Sequence, residues 1–129
     1  MQMQDFVVRF AGEGGQGVVT SAEGLAQAAT QVGYHALTYA TFPSQILGGP
    51  TWTQARISTS PVLSAGDEVD VLVAFNQDAY DEHAPDVRDD GVIIYNSDEF
   101  QLDQGDSRTF GVHVDELARS TGNNRAANM

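Results

Sequence analysis

Short apolar runs alternate along this chain with a stretch of helical period, and glycine- or proline-rich turns separate them. Phe6-Val7-Val8-Arg9-Phe10-Ala11 predicts a buried first strand over 6–11. Over 16–32, Val18, Val19, Ala22, Leu25, Ala26 and Ala29 fall near helical spacing, and Gly33 suits the helix C-cap. A second strand is expected at 35–41, before a stretch at 42–50 that is dense in breakers. Residues 51–58 alternate and predict a strand with one polar face, followed by a turn region at 59–68 containing Pro61 and Gly66. The segments 69–75 and 91–96 are near-continuous apolar runs, the pattern of parallel strands covered on both sides. Between them, 77–87 reads as a helix with an acidic exposed side and Pro85 near its end. A polar loop at 97–108, a last strand at 109–114 and a short helix over 116–120 capped by Asp115 complete the reading. Strand and helix in alternation, without repeats or linkers, predict one α/β domain over 1–129.

The connection between the first strand and the first helix is Gly12-Glu13-Gly14-Gly15-Gln16-Gly17, which matches G-x-G-x-x-G through Gly12, Gly14 and Gly17. Glycines turn tightly and let a ligand approach the backbone. The free amides of the following helical turn then face an anion, assisted by the helix dipole. A dinucleotide site adds an acid after the second strand to hold ribose hydroxyls. No Asp or Glu lies between Glu23 and Asp67, and no Lys or Arg takes that place for a phosphorylated ribose. The Walker pattern fails because the chain has no lysine. Glu13 repels a phosphate unless its side chain points outward, so a tight turn that merely packs helix on strand stays open as the plain alternative. The arrangement resembles a Rossmann-like three-layer domain with a largely parallel sheet. Residues 121–129 read as the approach to a further helix, which raises the expectation of a domain incomplete at its C-terminus.

Composition narrows the chemistry. The chain has 129 residues, no cysteine and a formal net charge of -12. Without thiolates it can neither ligate an iron–sulfur cluster through cysteine nor use a thiol nucleophile. His35, His83 and His113 are far apart in sequence and do not form a clustered ligand set. Strong acidity argues against nucleic acid and anionic membranes as partners. No apolar stretch reaches the roughly 20 residues that span a bilayer. Residues 1–5 lack the basic and apolar regions of a secretory leader, so a cytoplasmic location is expected. All six cations are arginine and Asp outnumbers Glu twelve to six. Adaptation to high salt and a host that prefers arginine and acids both account for this, and the choice stays open.

Three segments carry a family resemblance: Gly12 to Thr20, Pro43-Ser44-Gln45-Ile46-Leu47-Gly48-Gly49-Pro50, and Thr53 to Ser58. Together they resemble the gamma domain of the 2-oxoacid:ferredoxin (or flavodoxin) oxidoreductases, which include pyruvate, 2-oxoglutarate and indolepyruvate enzymes. The likeness covers residues 6–129 and is most specific at 12–58. It implies a supporting part of a complex that oxidatively decarboxylates a 2-oxoacid with coenzyme A, giving acyl-CoA, CO₂ and reduced ferredoxin or flavodoxin. Thiamine diphosphate and the iron–sulfur clusters would then reside in partner alpha and beta domains or subunits, which this domain contacts. Carried over by residue, the resemblance implies a coenzyme A-facing turn of Gly12, Gly14, Gly15, Gln16 and Gly17, with a hydroxyl from Thr20. A second loop with Ser44, Gln45, Gly48 and Gly49 is expected at the same end of the sheet or at a subunit interface. Many relatives place an arginine before the paired glycines, where this chain has Leu47. Arg56 is a substitute cation, or a strand residue paired with a carboxylate. No catalytic acid–base or nucleophilic set is evident. Thr20, Ser44 and Ser58 show no paired base in the sequence, and the tracts at 78–82, 86–90 and 98–106 read as solvated faces. Two other readings remain: a free-standing Rossmann-like nucleotide-binding protein, and a purely structural interaction module.

Overall fold

A computed structural model describes residues 5–13, 17–41, 50–60, 68–102 and 108–113. Strand β1 (Asp5–Glu13) leads to helix α1 (Val18–Gln31), β2 (His35–Thr41), β3 (Pro50–Ser58) and β4 (Val69–Ala74). Helix α2 (Gln77–His83), a 3-10 turn at Ala84–Asp86, β5 (Val87–Asn96) and β6 (Thr109–Val112) follow. The strands form one sheet in the order β2-β3-β1-β4-β5-β6. β1 runs parallel to β4, β4 to β5 and β5 to β6, whereas β3 lies antiparallel between β1 and β2. This is a mostly parallel α/β sheet of Rossmann-like type. The expected helix at 116–120 lies outside the described residues.

Each helix follows from local sequence. Gly17 enters α1 at φ 81, a left-handed conformation that costs a side chain-bearing residue about 1–2 kcal/mol. At the other end Gly33 sits at φ 103, donating its N–H to Thr30 O at 3.2 Å. α1 buries Val18, Ala22 and Ala29 and lies over β1, β2 and β3. Asn76 caps α2 by accepting from the Ala79 N–H at 2.8 Å. α2 stops at His83 because Pro85 cannot continue the hydrogen-bond ladder, so it is four residues shorter than the expected 77–87. It packs against β1 and β4. The core there joins Ala79 and Phe100 to Ala11, Leu72, Ala74 and Ile93, and includes no α1 residue. The crossover through α1 runs toward β2 and the one through α2 toward β5, so right-handed connections put the helices on opposite faces.

Two strands differ from expectation. β3 was expected to show a polar face to solvent, yet Thr51, Thr53, Gln54 and Ser58 are all buried. It is an inner strand with α1 over one face, and on the other face Gln54 accepts from Arg9 beneath α2. β5 starts at Val87 rather than Gly91, because Val69 pairs with Val87 while Val71 pairs with Val92. The partner of two β4 positions spans five in β5, and that bulge carries the exposed Arg88, Asp89 and Asp90. Gly91 sits where a Cβ would come within 2.8 Å of the Asp70 carbonyl oxygen.

Candidate functional site

The strand ends bring the two glycine-containing loops to a common edge. Gly12 pairs with Thr51 and Glu13 with Pro50, so the departure point of the first loop adjoins the return point of the second. Thr41, where the second loop begins, pairs with Trp52, which in turn pairs with Ala11. On the other side of β1, Ala11 pairs with Ala74, and the Phe75 N–H donates to Ala11 O at 2.9 Å. β1 therefore stands at the switch point, with one crossover leaving to each side. That crevice beyond the strand carboxyl ends is where open α/β sheets take ligands.

α1 points its N-terminus at this edge. Gly17 at its N-cap has no side chain to bond the first amides, and the first turn contains no acid. The Gly17 carbonyl already accepts from the Ser21 N–H at 2.9 Å. Thr20 is exposed on that turn, and Glu13 is exposed at the end of β1. Of the expected ligand-facing residues, Gly12 lies at the carboxyl end of β1, Gly17 at the α1 N-cap and Thr20 on the first turn of α1. Gly14, Gly15, Gln16, Ser44, Gln45, Gly48 and Gly49 lie outside the described residues. Arg56 donates to Asp5 through Nε at 2.9 Å and Nη2 at 2.6 Å, near the opposite end of the sheet. That places it with a carboxylate rather than at the loops, and its proximity holds the Asp5 carboxyl below the usual carboxylate range.

A cluster unforeseen from sequence lies beneath α2. Arg9, in the middle of β1, is only 7% exposed. Its Nε donates to Gln54 Oε1 at 2.9 Å, and its Nη1 donates to Asp86 Oδ2 at 2.7 Å and His83 Nδ1 at 3.0 Å. Its guanidinium lies 4.5 Å from the Trp52 ring centroid. An arginine has only donors, so Nδ1 of His83 must accept, which assigns a neutral ring with its proton on Nε2. Burial, then the Arg9 cation, push the His83 pKa below its ordinary value, against the opposing pull of Glu82 and Asp86. The cluster ties β1, β3 and α2 together. The only sequence signal for it is a charge inside an apolar run.

Two other features do not suit the expected anion. An open cleft of about 630 Å³ is lined by Glu68, Asp86, Arg88, Asp89 and Asp90, at the amino ends of β4 and β5 and away from the glycine loops. Its carboxylates repel an anion. At the carboxyl ends of β5 and β6, His113 Nδ1 is 2.9 Å from Asp98 Oδ1 and 3.3 Å from Ser97 Oγ. Both partners meet the same ring nitrogen, so no proton can pass from the serine through the ring to the carboxylate. No helix among the described residues is long and apolar enough to cross a membrane.

A family model described as pyruvate ferredoxin/flavodoxin oxidoreductase matches residues 7–129. Ketoisovalerate oxidoreductase subunit VorA of Methanothermobacter thermautotrophicus is 43% identical over 122 residues, covering 94% of this chain and 26% of that one. Pyruvate synthase subunit PorC of the same organism is 35% identical over 120 residues, covering 88% of this chain and 65% of that one. The gamma subunit of a keto/oxoacid ferredoxin oxidoreductase from Geobacter sulfurreducens superposes with a TM-score of 0.84 at 28% identity, covering 98% of this chain and 71% of that one. The 2-oxoglutarate:ferredoxin oxidoreductase of Magnetococcus marinus, solved with 2-oxoglutarate, coenzyme A and succinyl-CoA bound, gives a TM-score of 0.86 at 29% identity. That match covers 98% of this chain and 23% of the other. The chain thus spans about a quarter of the length of VorA.

Proposed function

Because the chain belongs to the pyruvate ferredoxin/flavodoxin oxidoreductase family, we propose that it acts as the gamma domain of a 2-oxoacid oxidoreductase and positions coenzyme A for acyl transfer. The observation that carries this reading is the meeting of the β1, β2 and β3 loop ends beside an α1 N-terminus with glycine at its cap. Amides of that turn, with Gly12, Gly14, Gly15, Gln16 and Gly17, receive a phosphate of coenzyme A. Thr20 adds a hydroxyl, and Ser44, Gln45, Gly48 and Gly49 close the other side. Backbone donors suit an acidic domain, because they attract an anion without a lysine or arginine. Glycine at 12, 14, 15 and 17 also lets the pyrophosphate come close to the main chain at those positions. The chain has no cysteine to ligate a cluster and no thiol to form an acyl thioester. That agrees with a division of labour in which the decarboxylation, its thiamine diphosphate and the electron transfer belong to partner alpha and beta domains, with ferredoxin or flavodoxin as acceptor.

Calorimetric titration of coenzyme A, with NAD as control, tests this. Saturable coenzyme A binding is expected, with NAD silent and Gly17→Val abolishing the heat while the circular dichroism is retained. NAD binding in place of coenzyme A would overturn the reading in favour of a dinucleotide domain. The exposed Glu13 at the mouth of the loop favours a second reading, an edge that faces protein. That reading predicts no binding of either ligand.

A further inference from the structure

The sheet edge that carries the glycine loop also carries a histidine. β1, β4, β5 and β6 run parallel, so their carboxyl ends share one edge. β5 ends there in Asn96, followed by Ser97 and Asp98, and β6 ends in Val112, followed by His113. The Ser97 N–H donates to Val112 O at 2.9 Å and ties the two departures together. Buried Asn96 fixes the turn, its Oδ1 accepting from the Asp98 N–H at 3.1 Å and its carbonyl from the Glu99 N–H at 3.1 Å. Asp98 Oδ1 in turn meets His113 Nδ1 at 2.9 Å, with Ser97 Oγ at 3.3 Å from the same nitrogen. The Asp98 side chain is 19% exposed and the His113 side chain 62%.

A carboxylate only accepts, so Nδ1 carries a proton and Nε2 is the nitrogen able to take one. A base oriented in this way by a third group is the arrangement that activates a weak nucleophile. The other two histidines lie elsewhere. His35 pairs with Ser58 at the opposite end of the sheet, and His83 is buried with its Nδ1 turned to Arg9. Imidazole, with an ordinary pKa of about 6.5, also lies closer to a thiol at about 8.5 than a carboxylate at about 4 does.

The span fits one particular thiol. β6 lies three strands from β1, roughly 14 Å. The arm of coenzyme A between pyrophosphate and thiol is as long as about four residues of extended chain, roughly 14 Å. A pyrophosphate on the α1 amides, with its arm laid along the edge, therefore brings the sulfur to the end of β6. Resting on the coenzyme A reading above, we propose that His113 is the base that takes the thiol proton of coenzyme A, with Asp98 as its positioning residue. The S–H bond breaks as the proton moves to Nε2, leaving a thiolate beside an imidazolium whose Nδ1–H stays on Asp98. The thiolate is the form that attacks an acyl carbon, and the exposed ring then releases the proton to solvent.

Ultraviolet titration of thiolate absorbance, with coenzyme A on the whole chain, tests the proposal, and calorimetry reads the binding separately. The bound thiol is expected to ionise about one pH unit or more below that of free coenzyme A. His113→Gln returns the ionisation to that of free coenzyme A while affinity and circular dichroism are retained, and Asp98→Asn gives a smaller shift than the parent chain. Coenzyme A that binds but ionises as it does in solution would overturn the proposal and leave the coenzyme A reading standing. A shift that survives His113→Gln would do the same. Absence of coenzyme A binding from the folded chain would overturn both.

Discussion

A buried guanidinium is costly unless its donors and charge are matched, and Arg9 is matched by Gln54, His83, Asp86 and the face of Trp52. This makes His83 a pH-sensitive contact. Its folded-state pKa lies below the ordinary value, so the unfolded chain takes up that proton more readily. The corresponding stability is complete above about pH 6.5 and declines as pH falls through and below that value. A melting series in acid should show a falling Tm that His83→Gln flattens, since a glutamine oxygen can still accept from Arg9. The carboxyl of Asp5 loses its Arg56 partnership only at lower pH, because its pKa is depressed. The two effects therefore separate along the series. Thr53 offers an opposite case: its Oγ1 is buried and has no hydrogen-bond partner among the described residues. Thr53→Val should raise stability by about 1 kcal/mol in urea melts, by removing an unpaired polar atom at constant volume. Neither site was legible from sequence in full. Arg9 stands out as a charge in an apolar strand, but its partners lie 45, 74 and 77 residues away.

The elements themselves were largely legible, because apolar runs and glycine punctuation report local structure directly. β2 and the start of α1 after the glycine loop follow from that punctuation, and Asn76 ends β4 by capping the next helix. What escaped depends on neighbours. Alternation in β3 predicts one polar face, yet the burial of that strand between two neighbours, with α1 on one face and Arg9 over Gln54 on the other, is decided by topology. The start of β5 was hidden because its bulge interrupts the apolar run with Arg88-Asp89-Asp90. That bulge supplies a test. Gly91→Ala forces a methyl against Val87 and the Asp70 carbonyl, and should cost about 1–3 kcal/mol in chemical denaturation. Asn76→Ala removes the α2 cap and should cost about 1 kcal/mol. A neutral outcome for Gly91→Ala would mean that β5 relaxes around the added methyl. For the candidate site, periodicity identified the strand-to-helix turn. It did not predict that the second loop would leave and rejoin the sheet beside it, which required β3 to insert between β1 and β2.

At the scale of the molecule, a net charge of -12 on 129 residues makes self-repulsion the dominant long-range force. Added salt screens it, while the few ion pairs here contribute little when exposed. The Tm should therefore rise from low to physiological sodium chloride, and a fall would show that Arg9–Asp86 and Arg56–Asp5 outweigh the repulsion. The insertion of β3 also bears on how the molecule is assembled during synthesis. β1 is translated first, but neither of its sheet neighbours comes next: β2, which does, is held one strand away. The register Asp5↔Ser58 means that β1 cannot complete its first ladder until residue 58 has left the ribosome. The β2 ladder also ends at residue 58, through His35↔Ser58, but it closes across a much shorter connection, so the local hairpin is the less costly pairing and its outer edge receives β1. The amino-terminal strand that begins the glycine loop is thus a late arrival in its own sheet. Until that hairpin forms, the growing chain has no sheet in which to bury Arg9.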